Sequence, residues 1–118
     1  MDDGRPIFLQ IAESLESQIL DGTLLEEEQI PSINALAAFH RINPATALKG
    51  VTMLVDAGTL YKRRGIGMFV AEGSRERLRE SRRAEFRDAH IRPLAHRAQE
   101  LGLTSAQLHD MITKEMNR

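Results

Sequence analysis

The chain contains no cysteine among its 118 residues. Disulfide stapling, thiolate catalysis and cysteine-ligated zinc are thereby excluded. No apolar run comes near the length needed to cross a bilayer. The opening MDDGRP is acidic and lacks the apolar core of a secretory signal, so a cytoplasmic protein without a membrane partner is the expectation. Catalytic signatures are also missing. There is no G-x-S-x-G elbow and no P-loop, and the GIG of residues 65–67 is not a dinucleotide fingerprint. His90, His96 and His109 do not stand at the i, i+4 spacing that sets two imidazoles on one helical face, and no HExxH occurs. No metal or other cofactor is expected, and an enzyme is the least supported class. Internal repeats and low-complexity tracts are absent as well.

The length suits one domain, or a small domain with an appendage. The net charge of −1 by itself names no partner. Its distribution is more informative. Residues 1–40 hold eight acids against the single base Arg5, a net of −7. Residues 41–64 hold five bases (Arg41, Lys49, Lys62, Arg63, Arg64) against Asp56, a net of +4. The surface is therefore dipolar and can attract a polyanion locally.

Apolar positions Phe8, Ile11, Leu15 and Ile19 recur at helical spacing, with polar residues between them. This helix should end at Asp21-Gly22, where glycine supplies a left-handed cap. The acidic loop LLEEEQIP leads to Ser32, a favoured N-cap. A short second helix follows, with Ile33, Leu36, Ala37 and Phe39 as its inward candidates, and His40-Arg41-Ile42 make a turn. Asn43-Pro44 opens a third helix, because asparagine caps well and proline is favoured at the first helical position. Its inward set is Ala47, Leu48 or Val51, Leu54 and Val55, and Gly58 stops it. Two β-prone runs, Leu60-Tyr61 and Met68-Phe69-Val70, bracket KRRGIG and read as a hairpin. The order is that of a winged helix-turn-helix, mainly α with a small β-hairpin.

Residues 71–81 are polar and charged and read as a linker passing into a helix. The expected division is therefore a DNA-binding domain over 1–72 and a short helical arm over 73–118. In the arm, Ala84, Ile91 and Ala98 fall seven apart, with Leu94 and Leu101 filling the other core position. Pro93 interrupts this pattern and should kink or break the helix. Gly102 ends it, and Thr104 with Gln107 makes a capping box for a last helix bearing Leu108, Met111, Ile112 and Met116. Two helices of this size cannot bury their own apolar faces. Either the first domain or a second copy of the chain must cover Phe86, Ile91, Leu94, Ala98, Leu101, Leu108, Met111 and Ile112, and a second copy is the expectation because it also accounts for the arm. Phe86, Ile91, Leu94 and Met111 are also the candidates to line a small apolar pocket there, although core packing explains the same residues.

The second helix of a helix-turn-helix lies in the DNA major groove with its N-terminal residues at the base edges. Here Asn43 and Thr46 can reach phosphate or base, and Asn43 can equally serve only as an N-cap. Lys49 lies one to two turns further on, and the small Ala45 permits close approach and contact with a thymine methyl. The helix N-terminus adds its own attraction for phosphate. A run of three cations is by itself usually a solvated loop. Directly after a helix-turn-helix, Lys62, Arg63 and Arg64 at a glycine-bearing tip instead read as a wing that meets the backbone or enters the minor groove. Gly65 and Gly67 allow the sharp turn.

These same stretches, PIFLQI, IPS, NPAT and RRGIGMFV, resemble the GntR family of bacterial transcription regulators over roughly the first 70 residues. The two-helix tail looks like that of the YtrA-type subfamily, whose members carry a small helical dimerisation domain. The resemblance implies a homodimeric repressor released by an effector, binding an inverted repeat in double-stranded DNA, often controlling its own operon and a transporter operon. It places contacts at the start of the second helix (Ser32, Asn34), on the third helix (Asn43, Ala45, Thr46, Lys49) and in the wing (Lys62, Arg63, Arg64, Gly65, Gly67). The chain departs from the family at Asn34, Asn43-Pro44 and Leu48, where basic residues or a serine-arginine pair are frequent. It also carries Glu26-Glu27-Glu28 in place of a Pro-Gly loop. Fewer charged contacts imply weaker binding in which the wing cations carry a larger share. The competing class is a winged-helix module that holds a protein partner with the same surface, motivated by the low net charge and the thin set of base-reading side chains.

Overall fold

The computed structural model describes residues 4–118; Met1, Asp2 and Asp3, two of them counted among the acids above, lie outside this range. Helix α1 spans Ile7–Asp21 and ends on Gly22, whose φ of 86° is the left-handed cap expected there. Helix α2 spans Ile33–His40 and α3 spans Pro44–Asp56. Strands β1 (Leu60–Arg63) and β2 (Gly67–Val70) pair antiparallel, with Leu60 opposite Val70 and Lys62 opposite Met68. Helix α4 covers Ser74–Phe86, a π-helical turn covers Arg87–Ile91, and α5 (Arg92–Glu100) and α6 (Ser105–Met116) follow. The chain divides into two compact units between Arg79 and Glu80.

The core of the first unit follows from the helical period. Ile11, Leu15 and Ile19 of α1 are buried against Leu36 and Ala37 of α2 and Ala47, Val51 and Leu54 of α3. The alternatives at Leu48 and Val51 are resolved: Val51 is fully buried and Leu48 is 45% exposed. Gly50 lets α3 approach α1 closely, since a Cβ there would lie 2.7 Å from the Phe8 carbonyl oxygen. The hairpin closes the core with Leu60 and Val70.

One expectation is corrected and two are narrowed. Phe39 is 82% exposed. Leu36 and Ala37 take the inward face of the two-turn α2, and Phe39 on its flank packs edge-on against His40, ring centroids 5.0 Å apart. Within residues 71–81 the linker is only residues 71–73, and the helix it passes into begins already at Ser74. Helix α4 is anchored by side chains reaching backbone carbonyls: Ser74 Oγ donates to Thr59 O at 2.8 Å, Arg75 Nε to Leu20 O at 3.1 Å and Arg77 Nη2 to Gly58 O at 3.2 Å. Leu78 then drops into the core. Between Ser74 and Arg83 it is the one apolar side chain. Such a stretch shows no amphipathic period, so this anchoring escapes pattern reading. Finally, of the kink or break expected at Pro93, the break does not occur, and the helix departs from α geometry in the π-helical turn Arg87–Ile91 just before it. The wide turn before it lets the Arg92 N–H reach back five residues to Arg87 O, which relieves the crowding a proline ring creates one turn back.

In the second unit Gly102 ends α5 with φ 71°. The Thr104–Gln107 capping box opens α6, with both reciprocal bonds formed at 3.1 and 2.9 Å. Among residues 80–118 the one buried hydrophobic residue is Ala98.

Candidate nucleic-acid interface

Helix α3 is set by its own N-terminus. Asn43 Oδ1 accepts the Ala45 N–H at 2.8 Å, and Pro44 occupies the first helical position. Of the two roles open to Asn43, the cap is the one its side chain performs. Ser32 caps α2 in the same way, its Oγ accepting from Ala35 N at 3.0 Å, and leaves Asn34 exposed in the first turn. Ala45 is exposed and Thr46 half-buried. Lys49 turns toward α1, its Nζ 4.0 Å above the Phe8 ring. Such a cation over an aromatic face is stabilised by about 0.5–1 kcal/mol at an exposed site, which draws the ammonium away from the outer face of α3.

The wing cations do not share one tip. Lys62 and Arg63 lie within β1, and the turn is Arg64-Gly65-Ile66. Alternation along a strand sends Lys62 and Arg63 to opposite faces. Lys62 faces a groove of about 300 Å³ lined also by Ser32, Leu48, Ile66 and Gly67, between the hairpin and helices α2 and α3. Arg63 lies over the Phe69 ring at 4.5 Å and the Tyr61 ring at 5.8 Å. Arg64 is exposed in the turn. Gly65 takes φ 77° and Gly67 φ 146°, backbone states that favour glycine.

Some residues escaped the sequence reading. The acidic loop braces the wing: Glu27 accepts a hydrogen bond from the Tyr61 hydroxyl, and Glu26 from the Gly73 N–H at the start of α4. The Glu27 bond holds the Tyr61 phenol above its usual range, with desolvation adding a smaller push in the same direction. Gln29 pairs with Phe69 as an isolated bridge, and its Nε2 donates to the Ile66 carbonyl at 2.9 Å, filling the space over Gly67. Ile66 itself is 61% exposed. The visible signal was its place between two glycines, since an apolar residue at a hairpin tip has no core to enter.

The tail residues fall into separate groups. Leu94, Leu108, Met111 and Ile112 line one apolar groove of about 260 Å³, together with Met116. Phe86 lies apart, tilted against His90 with centroids 5.5 Å apart. Ile91 and Leu101 are exposed, Leu101 at the end of α5. Among the described residues no three histidine or acidic side chains are grouped so as to hold a metal ion, and no helix is long and apolar enough to cross a membrane.

A helix-turn-helix whose third helix is flanked by a basic hairpin defines a winged-helix DNA-binding protein. The family model for bacterial regulatory proteins of the gntR family matches residues 8–70. The chain belongs to the GntR family and is a DNA-binding transcription regulator rather than an enzyme. It is 26% identical over 107 residues to the HTH-type transcriptional repressor YtrA of Bacillus subtilis (strain 168), an alignment covering 91% of this chain and 82% of that one. A crystal structure of a GntR-family transcriptional regulator from Bacteroides thetaiotaomicron superposes with TM-score 0.79 at 28% identity, covering 95% of this chain and 97% of the other. The DNA-binding domain of AraR in complex with operator ORX1 is similar over 60% of this chain and 86% of its own, with TM-score 0.56 at 32% identity.

Proposed function

We propose that the protein is a homodimeric transcriptional repressor that binds an inverted-repeat operator. Two α3 helices enter successive major grooves on one face of the duplex, about 34 Å apart. Lys62, Arg63 and Arg64 supply much of the affinity through phosphate, with Ser32, Asn34, Gly65 and Gly67 shaping the backbone seat. The tail beyond residue 72 joins the subunits and is where an effector would act. Control of its own operon, and of a transporter operon, is the regulatory role that fits.

The observation that carries the dimer is the exposed apolar surface of the tail. Phe86, Leu101, Met111 and Met116 are each more than half exposed, while Ala98 is buried. A helical hairpin with that surface has the make-up of half an interface, and a two-fold axis pairs it with an identical half. The second copy also brings the second α3 that an inverted repeat requires.

The decisive experiment is a fluorescence-anisotropy titration with the DNA immediately upstream of the protein's own gene, beside a shuffled fragment, each at two salt concentrations. Tight binding to the first, weakening with salt, is expected. Arg63→Ala with Arg64→Ala should weaken both fragments and flatten the salt slope by about 0.9 for each phosphate that is no longer neutralised. Equal, feeble binding to both fragments would point to a missing effector or to a protein partner for this surface. An unchanged affinity in the double variant would remove the wing from the interface.

A further inference from the structure

The polar side chains of α3 and its cap that stood ready to read bases each have a partner within the protein or are half-buried, although Asn43 and Lys49 stay exposed. Asn43 caps the helix, Lys49 lies over Phe8, and Thr46 is half-buried. What remains exposed on the first two turns, apart from Lys49, is Pro44, Ala45 and Leu48. All three are apolar. Leu48 is 45% exposed and lies in the same groove as Ser32, Lys62 and the wing-tip Ile66. It therefore faces the groove that Lys62 also faces.

We propose that Leu48 is a specificity-determining residue that reads the C5-methyl group of thymine, with Ala45 reading a neighbouring base pair in the same way. This rests on the DNA-binding reading above. Thymine alone presents a methyl group in the major groove; guanine offers two acceptors and adenine an acceptor and a donor. Leucine has no hydrogen-bonding group to answer either purine, so pressing it onto a purine edge strips water from polar atoms and leaves them unpartnered. Against a thymine the same contact buries apolar surface on both sides. An arginine at this position would favour guanine bidentately. Leucine therefore moves the preference from G·C to T·A. Ala45 and Leu48 stand i, i+3 on one face, about 4.5 Å apart along the axis, close to the rise of a base-pair step of about 3.4 Å. Affinity and reading are thus divided: cations on the wing hold phosphate, and apolar side chains on α3 choose the base.

The test uses the full-length protein. Duplexes are enriched from a random pool, and each thymine of the resulting consensus is replaced singly by deoxyuridine, which keeps its pairing and loses only the methyl. Anisotropy titrations are run on wild type and on Leu48→Ala, whose fold is checked by circular dichroism; the site is nearly half exposed, so the variant should fold. We expect at least one thymine per half-site to cost wild type about three- to fourfold on losing its methyl, and to cost Leu48→Ala nothing. Re-selection with Leu48→Arg should turn that position toward G·C. A consensus whose thymines all tolerate uracil would refute the thymine reading and leave the DNA-binding reading standing. A methyl effect equal in wild type and Leu48→Ala would assign it to another residue and likewise overturn the proposal. A pool that yields no consensus would remove both.

Discussion

Gly50→Ala should destabilise the protein, against the usual rule for a glycine inside a helix. At an ordinary site in the middle of a helix, alanine is better than glycine by about 0.8–1 kcal/mol. Gly50, though, sits where α3 crosses α1. An alanine Cβ would stand 2.7 Å from the Phe8 carbonyl oxygen, 3.1 Å from Ile11 Cβ and 3.3 Å from Ile11 Cγ2. The first contact is with backbone, so no rotamer change removes it, and the helices must part by roughly 0.5 Å to restore ordinary separations. Overpacking of this kind costs about 1–3 kcal/mol. With the nearest contact an immovable carbonyl, the upper part of that range applies, leaving a net loss of about 1–2 kcal/mol. Urea unfolding followed by circular dichroism measures it, with Thr52→Ala, exposed on the same helix, as a control expected to gain a few tenths of a kcal/mol. In a thermal scan the loss corresponds to about 4–8 °C per kcal/mol. A Gly50→Ala protein as stable as wild type would refute the argument, because the spacing of α1 and α3 would then not depend on the missing side chain.

Other consequences are equally accessible. Tyr61 is the only tyrosine and tryptophan is absent, so absorbance near 295 nm follows one phenol. Its midpoint should lie above the ordinary value near 10 and fall toward it in Glu27→Gln; coincident curves would mean that the bond does not form in solution. Because the folded-state pKa is the higher one, the stability this bond adds is present below about pH 10 and is lost as pH rises through the folded value. Gln29→Ala should cost about 0.5–1.5 kcal/mol at most, while hydrogen exchange at the amides of residues 64–67 quickens. Unchanged exchange would show that the Gln29–Ile66 bond does not hold the wing. Met111→Glu, at a half-exposed position, should leave the first unit folded and shift sedimentation from dimer to monomer. A persistent dimer would place the interface elsewhere.

Local chemistry was enough for most of the elements. The 3.6-residue period of Phe8, Ile11, Leu15 and Ile19 placed α1, Asn43-Pro44 opened α3, and the glycine-bearing KRRGIG separated two strands. Each of these signals lies within a few neighbouring residues, so it survives in the one-dimensional record. Helix α4 did not, because its hold on the domain runs through Ser74, Arg75 and Arg77 to carbonyls 15 to 55 positions away. Nor did the work of Glu26, Glu27 and Gln29, whose partners in the hairpin and at Gly73 are remote in sequence.

The candidate site divides along the same line. The sequence by itself determined that a helix with an Asn-Pro start would stand before a basic hairpin, since capping and turn chemistry are properties of adjacent residues. Only the tertiary structure decided where the side chains of that surface go. Lys49 is drawn onto Phe8 of α1, a helix far upstream in the chain, and strand alternation parts Lys62 from Arg63. Leu48, equally placed by periodicity to be core, is left outside while Val51 is buried. Position along a helix is set by neighbours in the chain, but which face finds a partner is set by what packs against it.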